Sequence, residues 1–258
     1  MNAVITATGT YVPDRRLSND DLKQFVDTSD EWIVSHTGIR FRHVAADEQA
    51  ASDLGAEAAR KALHRAGIGP EELQMILVAT ATPDFVGFPA TACIIQDKLG
   101  AKNAAAMDVV AGCTGFIYGL ETAKGFIASG FARNVLLIGT EVLTRHIDWS
   151  DRNTCVLFGD GAGAVLLQPS PVPGGVLSTV LGSDGSGGDL LAVPAGGSVT
   201  PATLETVASG QHFIKMDGKA MDRVNISSAL RRALERDELR LHYQMRVDLE
   251  SGMAPGAE

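Results

Sequence analysis

The 258-residue sequence is 45% hydrophobic, contains 28 glycines and few aromatic residues, and carries a formal net charge of -9. This length and hydrophobic content predict a globular protein with one large domain or two domains of ordinary size. The acidic charge argues against nucleic acid as a partner, because proteins that bind a phosphate backbone usually present a basic face.

The three cysteines, Cys93, Cys113 and Cys155, are too few and too widely spaced for a disulfide framework, and no pair has the spacing of metal ligands. The first residues contain no basic segment followed by an apolar run, and no stretch reaches the roughly 18 apolar residues of a membrane span. We therefore expect a reduced, cytoplasmic protein without a signal peptide, a membrane segment or a bound metal.

Apolar runs separated by turn residues predict strands that alternate with helices. In chain order they are a strand at Ala3–Thr10, a short helix capped by Ser18, a helix at Ser52–Ala66, a strand at Met75–Ala81, a helix from Pro89 to Gly100, a strand at Ala105–Val110, a helix at Thr114–Ser129, and strands at Val135–Thr140 and Ala162–Gln168. Such alternation predicts a largely parallel sheet covered by helices on its faces.

The character of the sequence changes twice after these elements. Residues 182–201 are rich in Gly, Ser and Pro and predict a long loop, of a length that is uncommon in compact domains unless the loop serves a site. From Ala220 onward the sequence predicts a charged helix, an alternating strand around Leu239–Val247, and a disordered tail.

Cys113 is the strongest candidate for chemistry, because it lies between a predicted buried strand and the start of a predicted helix. A thiol at this position faces free backbone N–H groups and the positive end of the helix dipole, and both favour the thiolate. Ala111, Gly112 and Gly115 would leave room for a substrate carbonyl, and the Cys113 amide could donate to a developing oxyanion. These residues alone leave open the alternative of a buried structural cysteine.

Four segments, taken together and in this order, resemble β-ketoacyl-acyl carrier protein synthase III. They are DEWIVSHTGIRFRH (30–43), AGCTGFIYGL (111–120), DRNTCVLFGDGAGAVLL (151–167) and SDGSGGDLLAVPAGGS (183–198). The resemblance covers about residues 1–219 and implies the thiolase fold, which has two similar α/β halves. It implies that residues 1–180 form the first, αβα-layered half, that residues 181–219 form a Gly-rich loop and the start of the second half, and that residues 220–258 are unrelated to it.

The resemblance also implies a reaction and its residues. The family condenses a short acyl-CoA with malonyl-acyl carrier protein to start fatty acid synthesis, and acyl-CoA is a substrate in a reaction that needs no cofactor. By resemblance, Cys113 attacks the acyl-CoA thioester, and Trp32 and Arg152 hold the two sides of the CoA adenine, with Thr28 beside Trp32. Phe88 corresponds to a residue that reaches the acyl pocket of the neighbouring subunit, which implies a homodimer.

The sequence departs from the family pattern in two places. His36 stands where the family has an arginine, and a neutral imidazole is a weaker partner for phosphate. After about residue 219 the family continues through a His-Gln-Ala-Asn motif and a later catalytic Asn, and this sequence contains neither. Because those groups stabilise the enolate formed from malonyl-acyl carrier protein, we expect condensation by this chain alone to be impaired.

Two alternative functions remain. The chain could be a non-catalytic truncated or fused remnant that acts at most as an acyl-accepting or interaction module, with Phe116, Ile117 and Leu120 of the helix after Cys113 left exposed. Residues 230–252 resemble the opening of an EAL-type cyclic-di-GMP phosphodiesterase domain, but they include none of its metal-binding carboxylates. We therefore predict no phosphodiesterase activity.

The remaining cysteines and a glycine cluster favour structural roles. Cys93, on the apolar face of a predicted helix, and Cys155, in a predicted strand, are expected to be packed small hydrophobes. Gly159, Gly161 and Gly163 do not have dinucleotide-binding spacing, and we expect them to let the backbone pass close to the nucleophile.

Overall fold

The structure, a computed structural model, describes residues 2–217. The strands are β1 (Asn2–Tyr11), β2 (Arg16–Ser18), β3 (Phe41–His43), β4 (Met75–Ala79), β5 (Ala105–Val109), β6 (Val135–Val142), β7 (Asp160–Ser170), β8 (Leu191–Ala192) and β9 (Lys215–Met216). The α-helices are α1 (Asp30–Thr37), α2 (Ala51–Ala66), α3 (Thr91–Leu99), α4 (Gly115–Ala128), α5 (Arg152–Cys155) and α6 (Leu204–Ala208). The predicted segment 220–258, with its phosphodiesterase resemblance, lies outside the described residues.

The central element is a five-stranded mixed sheet with the strand order β1-β7-β6-β4-β5. The β4–β5 and β4–β6 pairs are parallel, whereas the β1–β7 and β6–β7 pairs are antiparallel. The expectation of a largely parallel sheet is therefore wrong for half of the ladders. A parallel crossover needs about a dozen residues that cross the sheet face, usually as a helix. The connection from β6 to β7 contains a turn of 3-10 helix at Leu143–Arg145 and the four-residue α5 but no helix long enough to cross the sheet face, and β7 returns beside β6 in the opposite direction.

Helices cover both faces of this sheet. Helices α2 and α3 pack on one face over an alanine-rich cluster that includes Ala58, Ala62 and Ile95, and α4 packs on the other face over Leu137 and Leu167. Small side chains on α2 allow it to lie directly on β1 and β7, which are among its main contacts. The result is the αβα layering that the alternating pattern predicted for the first part of the chain.

A small lobe lies beside the sheet and is formed by residues 16–44 and 143–158. Its core joins Leu17 of β2, Ile33 of α1 and Ile147, and the half-buried Trp32, Trp149 and Phe158 pack against this cluster. Cys155 is fully buried in the lobe, as expected, but it ends helix α5 and does not lie in a strand. The lobe therefore gathers two segments that are about 100 residues apart in the sequence.

Cys93 also differs from its prediction, because its side chain is exposed on α3. The face of α3 that is buried against the sheet carries Thr91, Ala92 and Ile95, and position 93 lies off this stripe. The prediction of a packed cysteine at this position is wrong. Within residues 2–217, no helix is both long enough and apolar enough to cross a membrane.

Candidate active site

A cavity of about 580 Å³ lies at the edge of the sheet where the three parallel strands end. Ala81 and Thr82 follow β4, Cys113 follows β5, and Glu141 belongs to the end of β6, and all of them line this cavity. Because parallel strands share one carboxyl edge, the residues that follow them converge there, which is the usual place for a ligand in α/β proteins. Most of the lining is apolar, which suits an acyl chain better than a sugar or a nucleotide.

Cys113 lies in the short turn of 3-10 helix, Gly112–Thr114, that leads directly into α4. Its side chain is exposed and lines the cavity, so the alternative of a buried structural cysteine is wrong. The turn is tight because Gly112 has a φ of 52°, in the left-handed region that favours glycine. The sulfur therefore lies at the positively polarised end of α4, open to a cavity that a thioester could enter.

Gly115 has a role different from the expected one. It is buried, and a Cβ atom at this position would lie 3.2 Å from the Ala79 Cβ atom and 3.3 Å from the Val109 carbonyl oxygen. Its small size lets the first turn of α4 pack on β4 and β5, and it does not provide space for a substrate. Gly112 does line the cavity, as the sequence analysis expected.

Gly159, just before β7, and Gly161 and Gly163 within it have two different surroundings. Gly161 and Gly163 line the cavity together with Cys113, so this part of β7 passes beside the candidate nucleophile. Gly159 instead lies against β3, where an added Cβ atom would approach the Arg42 Cβ atom to 3.2 Å and the His43 carbonyl oxygen to 3.3 Å. The expectation that these glycines let the backbone pass close to the nucleophile is therefore wrong for Gly159, and an added Cβ atom at Gly163 would meet nothing within 4 Å.

Two titratable residues of the cavity, Glu141 and His146, were not singled out from the sequence. Glu141 accepts hydrogen bonds from the Ala81 amide (2.8 Å) and the Thr82 hydroxyl (2.6 Å), and burial nevertheless raises its pKa above the ordinary value of 4.5. Burial, helped by neighbouring Arg145, lowers the pKa of His146 below 6.5. Its position in the sequence could have indicated Glu141. It directly follows the predicted strand Val135–Thr140, and neighbouring parallel strands place their carboxyl ends at the same edge of the sheet as the strand before Cys113.

The Gly-rich segment predicted as a long loop serves this cavity. It contains a turn of 3-10 helix at Gly185–Leu190 and strand β8, which pairs with β9. Leu191, Ala192 and Val193 line the cavity opposite the sheet edge, together with Ile214 and Phe158 of the small-lobe core. The cavity is therefore bounded by the sheet, by this segment and by the small lobe.

Trp32 and Arg152 lie together on the small lobe, outside the cavity lining. The Arg152 Cζ atom lies 3.8 Å from the centroid of the Trp32 ring, a cation–π contact. Trp32 is on α1, whose N-cap Ser29 accepts a hydrogen bond from the Trp32 amide (3.1 Å), and Arg152 begins α5. The two residues that the sequence analysis assigned to opposite sides of an adenine thus contact each other directly.

Buried polar atoms without a hydrogen-bond partner mark the same region. Within residues 2–217 these atoms are Thr28 Oγ1, Arg42 Nε and Arg152 Nε. Leaving such an atom unpaired is unfavourable, and a bound ligand is one way to satisfy it. His36 stacks on Trp32 with ring centroids 4.4 Å apart, and its Nδ1 atom lies 2.7 Å from the Trp32 carbonyl oxygen.

Phe88 belongs neither to the cavity lining nor to the Trp32–Arg152 pair. It belongs to the connection between β4 and α3, is 89% exposed, and does not line the cavity of its own chain. Val86 and Phe85 in the same connection are also exposed, so the loop presents three large apolar side chains to solvent. Within the described part of the chain, no group of three or more His, Cys, Asp or Glu residues could hold a metal ion.

Comparisons with known proteins agree on one family. The model of 3-oxoacyl-[acyl-carrier-protein (ACP)] synthase III matches residues 107–185. The chain is 56% identical over 214 residues to the β-ketoacyl-[acyl-carrier-protein] synthase III of Desulfitobacterium hafniense, covering 83% of this chain and 64% of that protein. It is 55% identical over 220 residues to the corresponding protein of Natranaerobius thermophilus, covering 84% of this chain and 67% of that protein.

Solved structures of the same family also match the chain. The 3-oxoacyl-[acyl-carrier-protein] synthase III of Aquifex aeolicus superposes with a TM-score of 0.78 at 41% identity, covering 92% of this chain and 73% of that one. The corresponding enzyme of Pseudomonas aeruginosa gives 0.79 at 40% identity, covering 92% and 72%. The chain spans about two thirds of the length of these relatives. It has their thiolase-like α/β fold, and it belongs to the β-ketoacyl-[acyl-carrier-protein] synthase III family.

Proposed function

We propose that this chain carries out the acyl-accepting step of β-ketoacyl-acyl carrier protein synthase III, with Cys113 as the nucleophile. The Cys113 thiolate attacks the carbonyl carbon of a short acyl-CoA, a new C–S bond forms, and the C–S bond to CoA breaks. The CoA thiolate leaves and takes up a proton from solvent. The observation that carries this proposal is an exposed thiol at the start of α4 that opens into a largely apolar cavity of about 580 Å³.

The small lobe supplies the proposed nucleotide site. Trp32 and Arg152 would hold the adenine between them, so the guanidinium must leave the indole ring that it contacts at 3.8 Å. The unpaired Thr28 Oγ1 and Arg152 Nε atoms would then gain ligand partners. Phe158 and Ile214 connect this site to the acyl cavity, because both line the cavity and pack in the small-lobe core with Trp32. The reaction is expected to need no cofactor.

Intact-mass spectrometry after incubation with acetyl-CoA tests the acyl-accepting step. We expect one acetyl group on Cys113 and none after Cys113→Ser. The chain offers a matched control in Cys93, which is also exposed but lies away from the cavity, so Cys93→Ser should acetylate like the unaltered chain. Absence of acetylation on Cys113 would contradict the proposal and favour a non-catalytic remnant that serves only as an interaction module.

We further propose that condensation is impaired in this chain alone. The sequence lacks the His-Gln-Ala-Asn motif and the later Asn that the family resemblance assigns to decarboxylation. Loss of one oxyanion donor typically costs about 10²–10³ in rate. The resemblance assigns more than one such group to the part of the family's sequence that this chain does not match. Supplying malonyl-acyl carrier protein to the acetylated chain should therefore yield β-ketoacyl product much more slowly than acetylation itself. Condensation as fast as acetylation would contradict this proposal.

The exposed loop with Phe85, Val86 and Phe88 supports a homodimer in which Phe88 reaches the acyl cavity of the partner. Sedimentation velocity should show Phe88→Ala shifting the chain toward monomer. Phe131→Ala is a matched control. Phe131 is also exposed, at 62%, but it packs beside Phe126 near the C-terminal end of α4 and not in this loop. Equal association of the two variants would contradict the assignment of Phe88 to the interface.

The proposed partners are an acyl-CoA, malonyl-acyl carrier protein and a second copy of the chain. The net charge of -9 supports the absence of nucleic acid among the partners. We place the protein in the cytoplasm and expect no association with membranes, which fractionation of cells that express the chain would test.

A further inference from the structure

Arg42, on β3, is a buried cation, with only 3% of the residue exposed. No carboxylate among residues 2–217 forms an ion pair with it. Burial lowers the pKa of Arg42 below its ordinary value, but a guanidinium stays charged at neutral pH. A buried charge is costly unless hydrogen bonds compensate it, and Arg42 donates two, from Nη1 and Nη2, while its Nε atom has no partner among the described residues.

Those two bonds run in different directions. The Nη1 atom donates to the Asn19 Oδ1 atom, and the Nη2 atom donates to the Val156 carbonyl oxygen. Asn19 is itself buried, and its Nδ2 atom donates to the Asp30 Oδ1 atom and to the Ile39 carbonyl oxygen, each at 2.8 Å. The planar fork of the guanidinium thus connects two separate parts of the small lobe.

The ends of this network are the two helices of the proposed nucleotide site. Asp30 is the first residue of α1, two residues before Trp32, and Val156 is the C-cap of α5, which begins at Arg152. Gly159 lets the chain after α5 lie directly on Arg42, because an added Cβ atom would come within 3.2 Å of the Arg42 Cβ atom. Arg42 is therefore hydrogen-bonded, directly or through Asn19, to the helices that carry Trp32 and Arg152.

We propose that Arg42 is a positioning residue for nucleotide recognition: by holding α1 and α5 in register through Asn19 and Val156, it sets the placement of Trp32 and Arg152 for the CoA adenine. This inference rests on the proposed function. It assigns Arg42 to recruitment of the CoA thioester and not to the chemistry of Cys113, which belongs to the sheet and α4. A lysine could reach only part of this network, because its ammonium is a point charge without the planar fork.

Two measurements separate positioning from general support of the fold. The first is the dissociation constant of CoA, measured by isothermal titration calorimetry. The second is the rate of Cys113 acetylation at low concentrations of acetyl-CoA and of acetyl-N-acetylcysteamine, a small thioester without a nucleotide. The variants are Arg42→Met, Arg42→Lys and Asn19→Ser. The control is Arg145→Met, which removes an exposed arginine that also donates to two backbone carbonyls, those of Ala46 and Asp47.

For Arg42→Met we expect CoA affinity and acetylation from acetyl-CoA to fall about tenfold, while the small thioester reacts within about threefold of the unaltered rate. Arg42→Lys and Asn19→Ser should give smaller losses of the same kind, and Arg145→Met should give none. Equal losses with both thioesters, or no loss with either, would overturn the proposal. If Arg42→Met fails to fold, the two milder variants decide by the same ratio.

The two proposals can fail separately. If the unaltered chain binds CoA but is not acetylated, the acyl-accepting function is wrong, and the dissociation constants of the variants still decide the role of Arg42. If the unaltered chain does not bind CoA, the positioning role is overturned, whatever the small thioester does at Cys113. Acetylation by the small thioester alone would then leave the nucleophile assignment standing without the nucleotide site.

Discussion

The sheet with its helices and the small lobe differ in the buried polar groups that accompany their apolar cores. In the sheet layers, buried aliphatic side chains and close backbone approaches dominate, with clusters on both faces of the sheet, and the buried polar side chains are mostly hydroxyl groups such as those of Thr8, Ser52 and Thr140. The small lobe has an apolar core as well, but buried polar groups cross it, including Asn19, Arg42 and Thr154. Hydrophobic packing is roughly proportional to area and non-directional, whereas hydrogen bonds fix distances and angles.

This difference separates two tasks in the proposed enzyme. Cys113 needs a rigid platform, and it has the end of β5, the start of α4 and the packed glycine at position 115. Nucleotide recognition needs two side chains at a set separation, which a directional network can provide. We therefore expect changes in the layers to act mainly on stability and changes in the lobe network to act mainly on ligand binding.

The largest expected effect is on stability and comes from Gly9→Ala in β1. A Cβ atom at this position would overlap the Ala58 carbonyl oxygen and lie 2.5 Å from the Ala62 nitrogen, both in the backbone of α2. Because backbone cannot rotate away, α2 must move off the sheet, and we expect a loss of about 3 kcal/mol in the free energy of unfolding. Urea denaturation followed by circular dichroism measures this loss.

Gly125→Ala is the matched control for that substitution. Gly125 is exposed in the interior of α4, and an added Cβ atom would meet nothing within 4 Å. Alanine has the higher helix propensity, so this variant should gain up to about 1 kcal/mol. A similar effect of both substitutions would show that close packing of α2 on β1 does not hold the layers together.

Much of the sheet could be predicted from the sequence, because its strands are apolar runs and its helices carry caps and glycine stops. The predicted helix Ser52–Ala66 differs from α2 by one residue, and Gly67 ends it with a φ of 68°. The three-residue strands β2 and β3 were not predicted, because so short a segment has no periodic pattern. The direction of β7 was also missed, because it depends on the path of the preceding connection and not on the residues of the strand.

The candidate site was predictable to the extent that its residues belong to local motifs. Cys113, Trp32 and Arg152 were predicted from such motifs, and they lie at the cavity or in direct contact with each other. Arg42 was not singled out, because its partners are 23 and 114 residues away and only the fold brings them together. Apolar periodicity says nothing about a buried polar network of this kind.

The boundary between the two regions can be tested at Asp160, the first residue of β7. Its buried carboxylate accepts hydrogen bonds from the Ala45 amide (2.7 Å), the Thr144 amide (2.9 Å) and the Thr144 hydroxyl (2.6 Å). Asp160→Asn would turn an N–H group toward these donors, and we expect a loss of about 2 kcal/mol. Thermal unfolding by calorimetry measures it, and a loss as small as that of an exposed Asp14→Asn control would contradict the role of Asp160 in joining sheet and lobe.

The smallest expected effect is a pH dependence at His146, which lies at the same boundary and lines the cavity. Burial and Arg145 lower its pKa, whereas Asp160 opposes them, so the folded protein binds this proton less tightly than the unfolded chain does. Stability is therefore greatest above the ordinary pKa of 6.5 and falls as the pH decreases from 6.5 through the lower folded value. Glu141 has the opposite effect: burial raises its pKa, so the folded protein binds this proton more tightly than the unfolded chain, and its protonation as the pH falls toward 4.5 favours the folded state.

Urea denaturation of the unaltered chain and of His146→Asn at pH 7.5 and at pH 5.5 isolates the contribution of His146. The unaltered chain should lose more stability between the two pH values than the variant. An equal loss would contradict a lowered pKa for the His146 imidazole in the folded protein.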